Sequence, residues 1–327
     1  MKNLLLILLC LPFIGASQNI TNLNSIWYNT YLSDNGGFGR GIIDNNKLVI
    51  SGCTWPSSSS TTDQMITKVN PDGSIEFQII RSPGGDHDGY KSVVKLNNGH
   101  YGFFGQQNAQ GTQYFDGFYT EFDTSGNEVY YNFFSIPGSS SGSDMQMLPN
   151  GNLVFAGPHG NGLNFIALTD QSFSQLNYMT YSIGGWGNSQ IAIDENNNYI
   201  YAIASHSTTN DIKINKYDFS LNYITTFVIT HSDKLFNYDV ITDGSDLLLC
   251  GYKIEGTTRH GVFYRVNSNG IITDSFILQD ESQFTALSKF NNNIILAKSN
   301  LVGSASTSNT LLIYEGAGQF GVEFILN

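Results

Sequence analysis

The sequence is dominated by a motif that recurs about every 50 residues, and this repeat restricts the possible folds more than any other feature. A β-type run ending in a small residue appears six times, with steps of 53, 52, 47, 47 and 46 residues between successive end residues. The end residues are Gly52, Gly105, Gly157, Ala204, Gly251 and Ala297. This period is typical of the four-stranded blades of a β-propeller and is too long for leucine-rich repeats.

Each repeat unit has the same internal order. A first strand (a) leads through an Asn- or Gly-rich turn into the strand with the small end residue (b), and a variable polar loop, a third strand (c), a second turn and a last strand (d) follow. Asn and Gly tolerate the left-handed backbone that tight hairpin turns require. Six such units fill residues 38–327, so the sequence predicts an all-β propeller of six four-stranded blades.

The closure of the ring is left open by the sequence. An additional strand-like run at 25–33 precedes the first unit, and a propeller closed by this N-terminal strand would hide its sheet edges. The last unit, however, already has its own strand d at 319–327. Either the last blade has five strands or the boundaries of the final unit differ from those assigned here.

Several units resemble a known type of repeat. The runs NKLVISG at 46–52, DQMITKVNPDGSIEFQII at 63–80 and GFYTEFDTSGNEVYYNFF at 117–134 are similar to the delta-sixty type of tandem propeller repeat of secreted bacterial proteins. The resemblance covers about residues 37–327. Its motifs are structural turns and strand ends, so it implies the fold and no catalytic residue.

The first 17 residues have the features of a signal peptide. Lys2 provides a positive charge, Leu4 to Ile14 form an apolar run too short to span a bilayer, and Gly15, Ala16 and Ser17 are small residues suited to cleavage. We therefore expect residues 1–17 to be removed and 18–327 to form a single propeller domain. The expected location is secreted, either extracellular or periplasmic.

Charge and composition limit the partners. Only 13% of the residues are charged, the formal net charge is −12, and 35 residues are Asn. Binding of nucleic acid or anionic lipid needs clustered Lys and Arg, so we expect neither nucleic-acid binding nor membrane insertion. We also expect a monomer without a cofactor. A glycan or an extracellular protein remains as the expected partner.

The connectivity of a blade separates its loops into two groups. In an up-and-down sheet the a–b and c–d turns lie at one end, and the variable b–c and d–a connections lie at the other, which we call the loop end. Binding residues are concentrated in variable loops on rigid scaffolds. The candidate ligand-binding residues at the loop end are Trp55, Tyr114, Trp186, His87, His159, His206, His260 and Arg259. Aromatic rings could stack on sugars, and the uncharged polar side chains could bond their hydroxyl groups.

Two other kinds of site are possible at the same end. Glycoside hydrolysis needs two carboxyl groups about 5–9 Å apart, and Asp88, Asp144 and Asp239 lie at or near starts of strand a. Asp86 and Asp88 are also a candidate Ca²⁺ site, but the sequence favours a solvated turn in which Asp caps backbone N–H groups, because the spaced ligand series of a calcium loop is missing.

The sequence therefore favours a secreted, non-enzymatic binding or scaffolding module. The alternatives are a glycan-cleaving hydrolase that uses carboxylates near the central channel and a purely structural surface protein. The chain has neither the G-x-S-x-G motif of a nucleophilic serine nor a phosphate-binding glycine loop, which favours binding over catalysis.

Overall fold

The computed structural model describes residues 35–55, 62–82, 88–108, 115–133, 141–182, 187–206, 210–290, 293–302, 305–316 and 319–326. Four of the predicted site residues, Asp86, His87, Tyr114 and Trp186, lie outside these residues. The predicted leader and the strand expected at 25–33 also lie outside them, so closure by an N-terminal strand stays a prediction. For Trp55 and His206 the backbone alone is described.

The described residues form 24 strands in six antiparallel sheets of four consecutive strands each, as the repeat predicts. Blades 1 and 2 contain β1 (Asn35–Asp44), β2 (Lys47–Trp55), β3 (Asp63–Val69), β4 (Ile75–Arg81), β5 (Gly89–Lys95), β6 (Tyr101–Asn108), β7 (Phe115–Phe122) and β8 (Glu128–Phe133). Blades 3 and 4 contain β9 (Asp144–Met147), β10 (Leu153–His159), β11 (Leu163–Thr169), β12 (Gln175–Ser182), β13 (Gly187–Asp194), β14 (Tyr199–His206), β15 (Asp211–Asp218) and β16 (Tyr223–Thr230). Blades 5 and 6 contain β17 (Lys234–Asp243), β18 (Asp246–Glu255), β19 (Thr258–Val266), β20 (Ile272–Ile277), β21 (Ser282–Phe290), β22 (Asn293–Val302), β23 (Ala305–Gly316) and β24 (Gln319–Leu326).

The chain divides into two compact units at Met147 and Leu148. Within the N-terminal unit, β1 packs on β5 and β5 packs on β9; within the C-terminal unit, β13 packs on β17 and β17 packs on β21. Strand a of one blade therefore contacts strand a of the next, which makes it the inner strand. Strand d is the outer strand, and its large apolar side chains, such as Tyr223 and Ile224, are exposed.

Hydrophobic clusters hold successive blades together. In the N-terminal unit, Tyr90, Phe103 and Phe118 of blade 2 pack against Val49 and Ile66 of blade 1. In the C-terminal unit, one cluster joins blades 4 and 5 and another joins blades 5 and 6. Since each blade contributes apolar residues from both faces of its sheet, strands b and c read as nearly continuous apolar runs rather than as alternating ones.

A bulge in the inner strand explains the small end residue of strand b. In blade 5 the pairing of β17 with β18 shifts between Asn237 and Asp239, and Asn237 pairs with Gly251. A Cβ atom on Gly251 would lie 1.8 Å from the carbonyl oxygen of Phe236. Blade 2 repeats this arrangement, because a Cβ on Gly105 would lie 2.1 Å from the oxygen of Gly89. The sequence repeat thus marks the position where the bulged inner strand crosses close to strand b.

The c–d turns use the carboxylate or amide of their first residue to accept backbone hydrogen bonds. Asp218 Oδ1 accepts the N–H groups of Ser220 and Asn222, and Asp123 and Asn267 make the equivalent bonds in blades 2 and 5. One residue of each turn has a positive φ, and in blades 3 and 4 it is not Gly but Phe173 (φ 64) and Leu221 (φ 63). Leu221 is buried, so its packing offsets the strain of this backbone conformation. The turn sequences of these two blades accordingly lack the glycine that blades 1, 2 and 5 have as Gly73, Gly126 and Gly270.

Among the described residues, no helix has the length and apolar character needed to cross a membrane.

Candidate ligand-binding site

The predicted site residues with a described backbone lie at or near the loop end of their blades. Trp55, His159 and His206 are the last residues of β2, β10 and β14, and Asp144 is the first residue of β9. Asp88 lies directly before β5 and Asp239 lies within β17; Arg259 and His260 lie within β19. The b–c connection of blade 5 is short, although the sequence of 253–261 is polar enough to predict a long loop, because β18 and β19 extend to a two-residue turn at 256–257.

In the N-terminal unit, Asp144 belongs to a hydrogen-bonded group that joins three inner strands. Its Oδ2 lies 3.3 Å from Nη2 of Arg40 in β1, and its Oδ1 accepts a hydrogen bond from the Ser92 hydroxyl in β5 at 3.1 Å. The backbone N–H of Met145 also donates to Oδ1. The side chain of Asp144 is 1% exposed, whereas that of Arg40 is 28% exposed. The carboxylate therefore holds inner strands together, and its predicted role as a catalytic acid stays a prediction.

Asp88, the second carboxylate of the hydrolase alternative in this unit, is also buried. Its backbone N–H donates to the carbonyl oxygen of Thr62, and the Thr62 hydroxyl donates to the carbonyl oxygen of Asp88. These bonds tie the start of β5 to the residue before β3.

In the C-terminal unit, Asp239 makes contacts of the same kind. Its Oδ1 accepts the N–H of Val240 and its Oδ2 accepts the N–H of Leu287 in β21, both at 2.9 Å. A carboxylate that accepts two backbone N–H groups joins the inner strands of blades 5 and 6. Like Asp144, it bonds neighbouring inner strands, and it lies at the edge of the bulge in β17.

The most developed group of side chains at the loop end is an aromatic and arginine stack on blade 5. The rings of Phe236 and Tyr252 are parallel within 8° at 4.7 Å between centroids, and Tyr238 packs against Tyr252 at 5.3 Å. The guanidinium carbon of Arg259 lies 4.9 Å from the Tyr252 ring centroid. Its Nη1 donates a hydrogen bond to the side-chain oxygen of Gln283 in β21 at 3.1 Å. We call Phe236, Tyr238, Tyr252 and Arg259 the blade-5 stack.

The buried ring of Tyr252 lies at the centre of the stack, and its burial affects the ionisation of its hydroxyl group. Desolvation raises the pKa of Tyr252 to about 12, against the opposing effect of the Arg259 charge. The hydroxyl of Tyr252 is therefore protonated over the physiological range and acts as a neutral group. Phe236, Tyr238 and Arg259 are half-buried, so a ligand at the loop end reaches these three side chains rather than Tyr252.

A charged group lies on the opposite face of the same sheet. Lys253 Nζ contacts Asp233 Oδ2 at 3.3 Å and Glu255 Oε2 at 2.8 Å, and His231 Nδ1 lies 3.4 Å from Asp233. The hydrogen bond to Glu255, followed by that to Asp233, raises the pKa of Lys253. His260 pairs with Lys253 across the strands and therefore faces away from the neighbouring Arg259. The structure thus separates two predicted site residues that are adjacent in sequence.

His159, another predicted site residue, is 9% exposed, and no described residue forms a hydrogen bond with its Nδ1. Burial lowers its pKa below the ordinary value of 6.5, because the charged imidazolium is disfavoured there. The unfolded chain consequently binds a proton at a higher pH than the folded chain does.

We therefore expect stability to be lost as the pH falls from 6.5 towards the lowered pKa of folded His159, and to be fully present above 6.5. Urea unfolding of the wild type and of His159→Gln, measured from about pH 8 to about pH 5, checks this expectation. The variant should show a smaller loss of stability towards low pH than the wild type. Parallel curves for the two proteins would show that His159 titrates normally.

No group of three or more His, Cys, Asp or Glu side chains within the described ranges is arranged to hold a metal ion. Asp86 of the possible Ca²⁺ site lies outside those ranges, so this site stays a prediction.

Sequence reasoning missed Phe236, Tyr238, Tyr252 and Gln283. A signal for Tyr252 was present, because it directly follows Gly251 and so occupies the loop end of strand b. Phe236 and Tyr238 alternate with Asn237 in the inner strand, which is typical of a packed strand and does not distinguish a site from the core.

No protein-family model matches the chain. No curated protein sequence matches it. Solved structures do match: the NanB sialidase from Streptococcus pneumoniae has a TM-score of 0.61 at 9% identity, covering 85% of this chain and 67% of that chain. The Dos1 propeller has a TM-score of 0.53 at 9% identity, with 86% and 70% covered. The β-propeller domain of the Trilobed protease from Pyrococcus furiosus has a TM-score of 0.51 at 10% identity, with 89% and 84% covered.

The fold is that of a β-propeller. Similarity at such low identities carries no information on activity or ligand, so the function has to be argued from this propeller's own side chains.

Proposed function

We propose that this propeller is a secreted, non-enzymatic binding module, and that its ligand, a glycan or a protein segment, binds at the loop end. The observation that carries the proposal is the blade-5 stack. Ligand sites combine aromatic surfaces with a few polar groups of fixed orientation. The stack provides both, with half-buried Phe236 and Tyr238 beside the guanidinium of Arg259 and the amide of Gln283.

The contacts of the inner-strand carboxylates support binding over hydrolysis. A general acid or nucleophile must reach the reacting atoms of the substrate. Asp144 and Asp239 instead engage hydroxyl, guanidinium and backbone N–H groups of neighbouring inner strands. The hydrolase alternative, with Asp88, Asp144 and Asp239, and the purely structural alternative are kept as outcomes of the test below.

The proposal is tested by titration calorimetry of the purified protein with a panel of neutral and acidic oligosaccharides. We expect Tyr238→Ala to weaken binding of the best ligand at least about tenfold, since removal of an aromatic contact at the centre of a site commonly costs this much. Tyr223→Ala is the matched control, because Tyr223 is an exposed tyrosine of the outer strand β16 and should not affect binding.

The same samples distinguish the alternatives. Chromatography of the oligosaccharides after incubation detects cleavage, and turnover that disappears in Asp144→Asn would favour the hydrolase. Equal affinities of wild type and Tyr238→Ala would place the site elsewhere. If neither the oligosaccharides nor extracellular protein segments bind, the structural alternative gains.

A further inference from the structure

Arg259 differs from the other three arginines of the chain in its partners. Arg40 pairs with Asp144 at 3.3 Å, Arg81 pairs with Glu128 at 3.2 Å, and Arg265 pairs with Asp243 and Asp246 at 2.8 and 2.7 Å. Arg259 donates from Nη1 to the neutral amide oxygen of Gln283 at 3.1 Å. Within the part of the chain that the structure describes, no carboxylate forms an ion pair with it.

Arg259 is also held in place more firmly than a surface arginine. Its guanidinium packs on Tyr252, which is 6% exposed and itself stacked on Phe236. A guanidinium has five N–H donors in a planar fork, and one hydrogen bond to Gln283 leaves most of them available. Such a group is pre-organised for an anion.

The absence of an ion pair is notable because the chain has 27 acidic and only 15 basic side chains. Carboxylates do lie at this end of blades 5 and 6, but they bind other cations. Asp233 and Glu255 pair with Lys253, and Asp280 pairs with Lys298. A half-buried charge without a counter-ion among the described residues carries a desolvation cost, and an anionic ligand would offset that cost on binding.

The shape and charge of the site select among anions. A planar fork matches a carboxylate in a bidentate arrangement. A phosphate or a peptide with several acidic residues would bring more negative charge to a protein whose formal net charge is already −12, and the protein repels it more strongly than a ligand with one negative charge. A molecule with one carboxylate and otherwise uncharged hydroxyl groups fits the half-buried guanidinium of Arg259, which bonds Gln283 and packs on the Tyr252 ring that Tyr238 also contacts.

We propose that Arg259 is the anchor for the single carboxylate of an acidic sugar, so that the ligand class is an oligosaccharide with one uronic acid among otherwise uncharged sugars. This inference rests on the proposed binding function and assigns its substrate class. The planar carboxylate would accept two hydrogen bonds from the Arg259 fork, and the adjacent sugar ring would lie against Tyr238.

The experiment compares matched pairs of oligosaccharides by calorimetry at low salt. Each pair is a neutral trisaccharide and the same trisaccharide with one glucuronic acid, and xylo-, gluco- and galacto-configured backbones are used. We expect the wild type to bind at least one acidic member about tenfold or more tightly than its neutral partner. This preference should shrink at 0.5 M NaCl, because salt screens the interaction.

Arg259→Gln should remove the preference, so that the acidic and neutral members bind equally. Arg259→Lys should keep part of it, because the charge remains while the fork is lost. Lys234→Gln is the control, since Lys234 is an exposed cation at the same end of blade 5 and its removal should leave the preference intact. Melting temperatures of all variants establish that they are folded.

A preference for acidic members that persists in Arg259→Gln would overturn the inference while leaving the binding function standing. Neutral and acidic members that bind the wild type equally would also overturn it. Arg259-dependent binding of an acidic hexapeptide, with no saccharide bound, would assign the site to a peptide instead. If the wild type binds none of the saccharides and none of the peptides, the proposed binding function itself fails.

Discussion

Gly251→Ala is expected to lower the free energy of unfolding by about 3 kcal/mol or more, in the upper range for overpacking of a closely packed interior. The added Cβ would lie 1.8 Å from the carbonyl oxygen of Phe236 and 3.1 Å from Cα of Asn237. Both neighbours are backbone atoms of the bulged inner strand, so no side-chain rotation relieves the contact. The bulge between Asn237 and Asp239 must move, and the contact of Asp239 with Leu287 moves with it.

Urea unfolding followed by tryptophan and tyrosine fluorescence measures this loss. Gly256→Ala is the matched control: Gly256 has a φ of 63°, and a Cβ there would have no atom within 4 Å. Its substitution should cost about 1 kcal/mol through backbone strain alone. Similar losses in the two variants would show that close approach of the inner strand is not the reason for the repeated glycine.

Asp144→Ala is expected to be the second large effect, with a loss of about 2–3 kcal/mol of stability. The substitution leaves Arg40 without its carboxylate and removes acceptors of the Ser92 hydroxyl and the Met145 N–H. The expected loss is at the lower end for buried ion pairs because Arg40 is 28% exposed and water can partly replace the carboxylate. Chemical unfolding at neutral pH again provides the measurement.

Glu128→Ala is the control for this prediction, because Glu128 pairs with Arg81 at 3.2 Å but has an exposed side chain. Its removal should change stability by less than about 1 kcal/mol. If Asp144→Ala and Glu128→Ala were equally stable, the contacts of Asp144 would not contribute the stability expected here. A fully stable Asp144→Asn protein that has lost activity on an oligosaccharide would instead support the hydrolase alternative.

The architecture of this protein follows from the sequence alone, because it depends on features that repeat. The spacing of Gly52, Gly105, Gly157 and Gly251 marks an equivalent position within strand b of four blades, two to four residues before the strand ends, and the Asn-rich turns mark the hairpins. Each feature reflects a local requirement, either a left-handed backbone or room for a neighbouring strand. The number of blades, the order of their strands and the end at which most candidate residues lie were therefore predictable.

The candidate site was predictable only in part. Arg259 was identified from its position in the unit, but its partners were not, since Gln283 is 24 residues away and belongs to the next blade. Asp144 and Asp239 appeared as possible catalytic acids because sequence position does not show which groups a carboxylate contacts. The structure places both in hydrogen bonds between inner strands.

There is a physical reason why the blades were predictable from the sequence and the partners of the site residues were not. Strand and turn formation is encoded by neighbours along the chain, so one unit of about 50 residues contains all the information needed for one blade. A binding site on a propeller is built from residues that meet only when blades pack, as Tyr252 and Arg259 of blade 5 meet Gln283 of blade 6. The sequence by itself determined the blades, and only their packing decided which arginine pairs with a carboxylate and which, among the described residues, bonds a neutral amide instead.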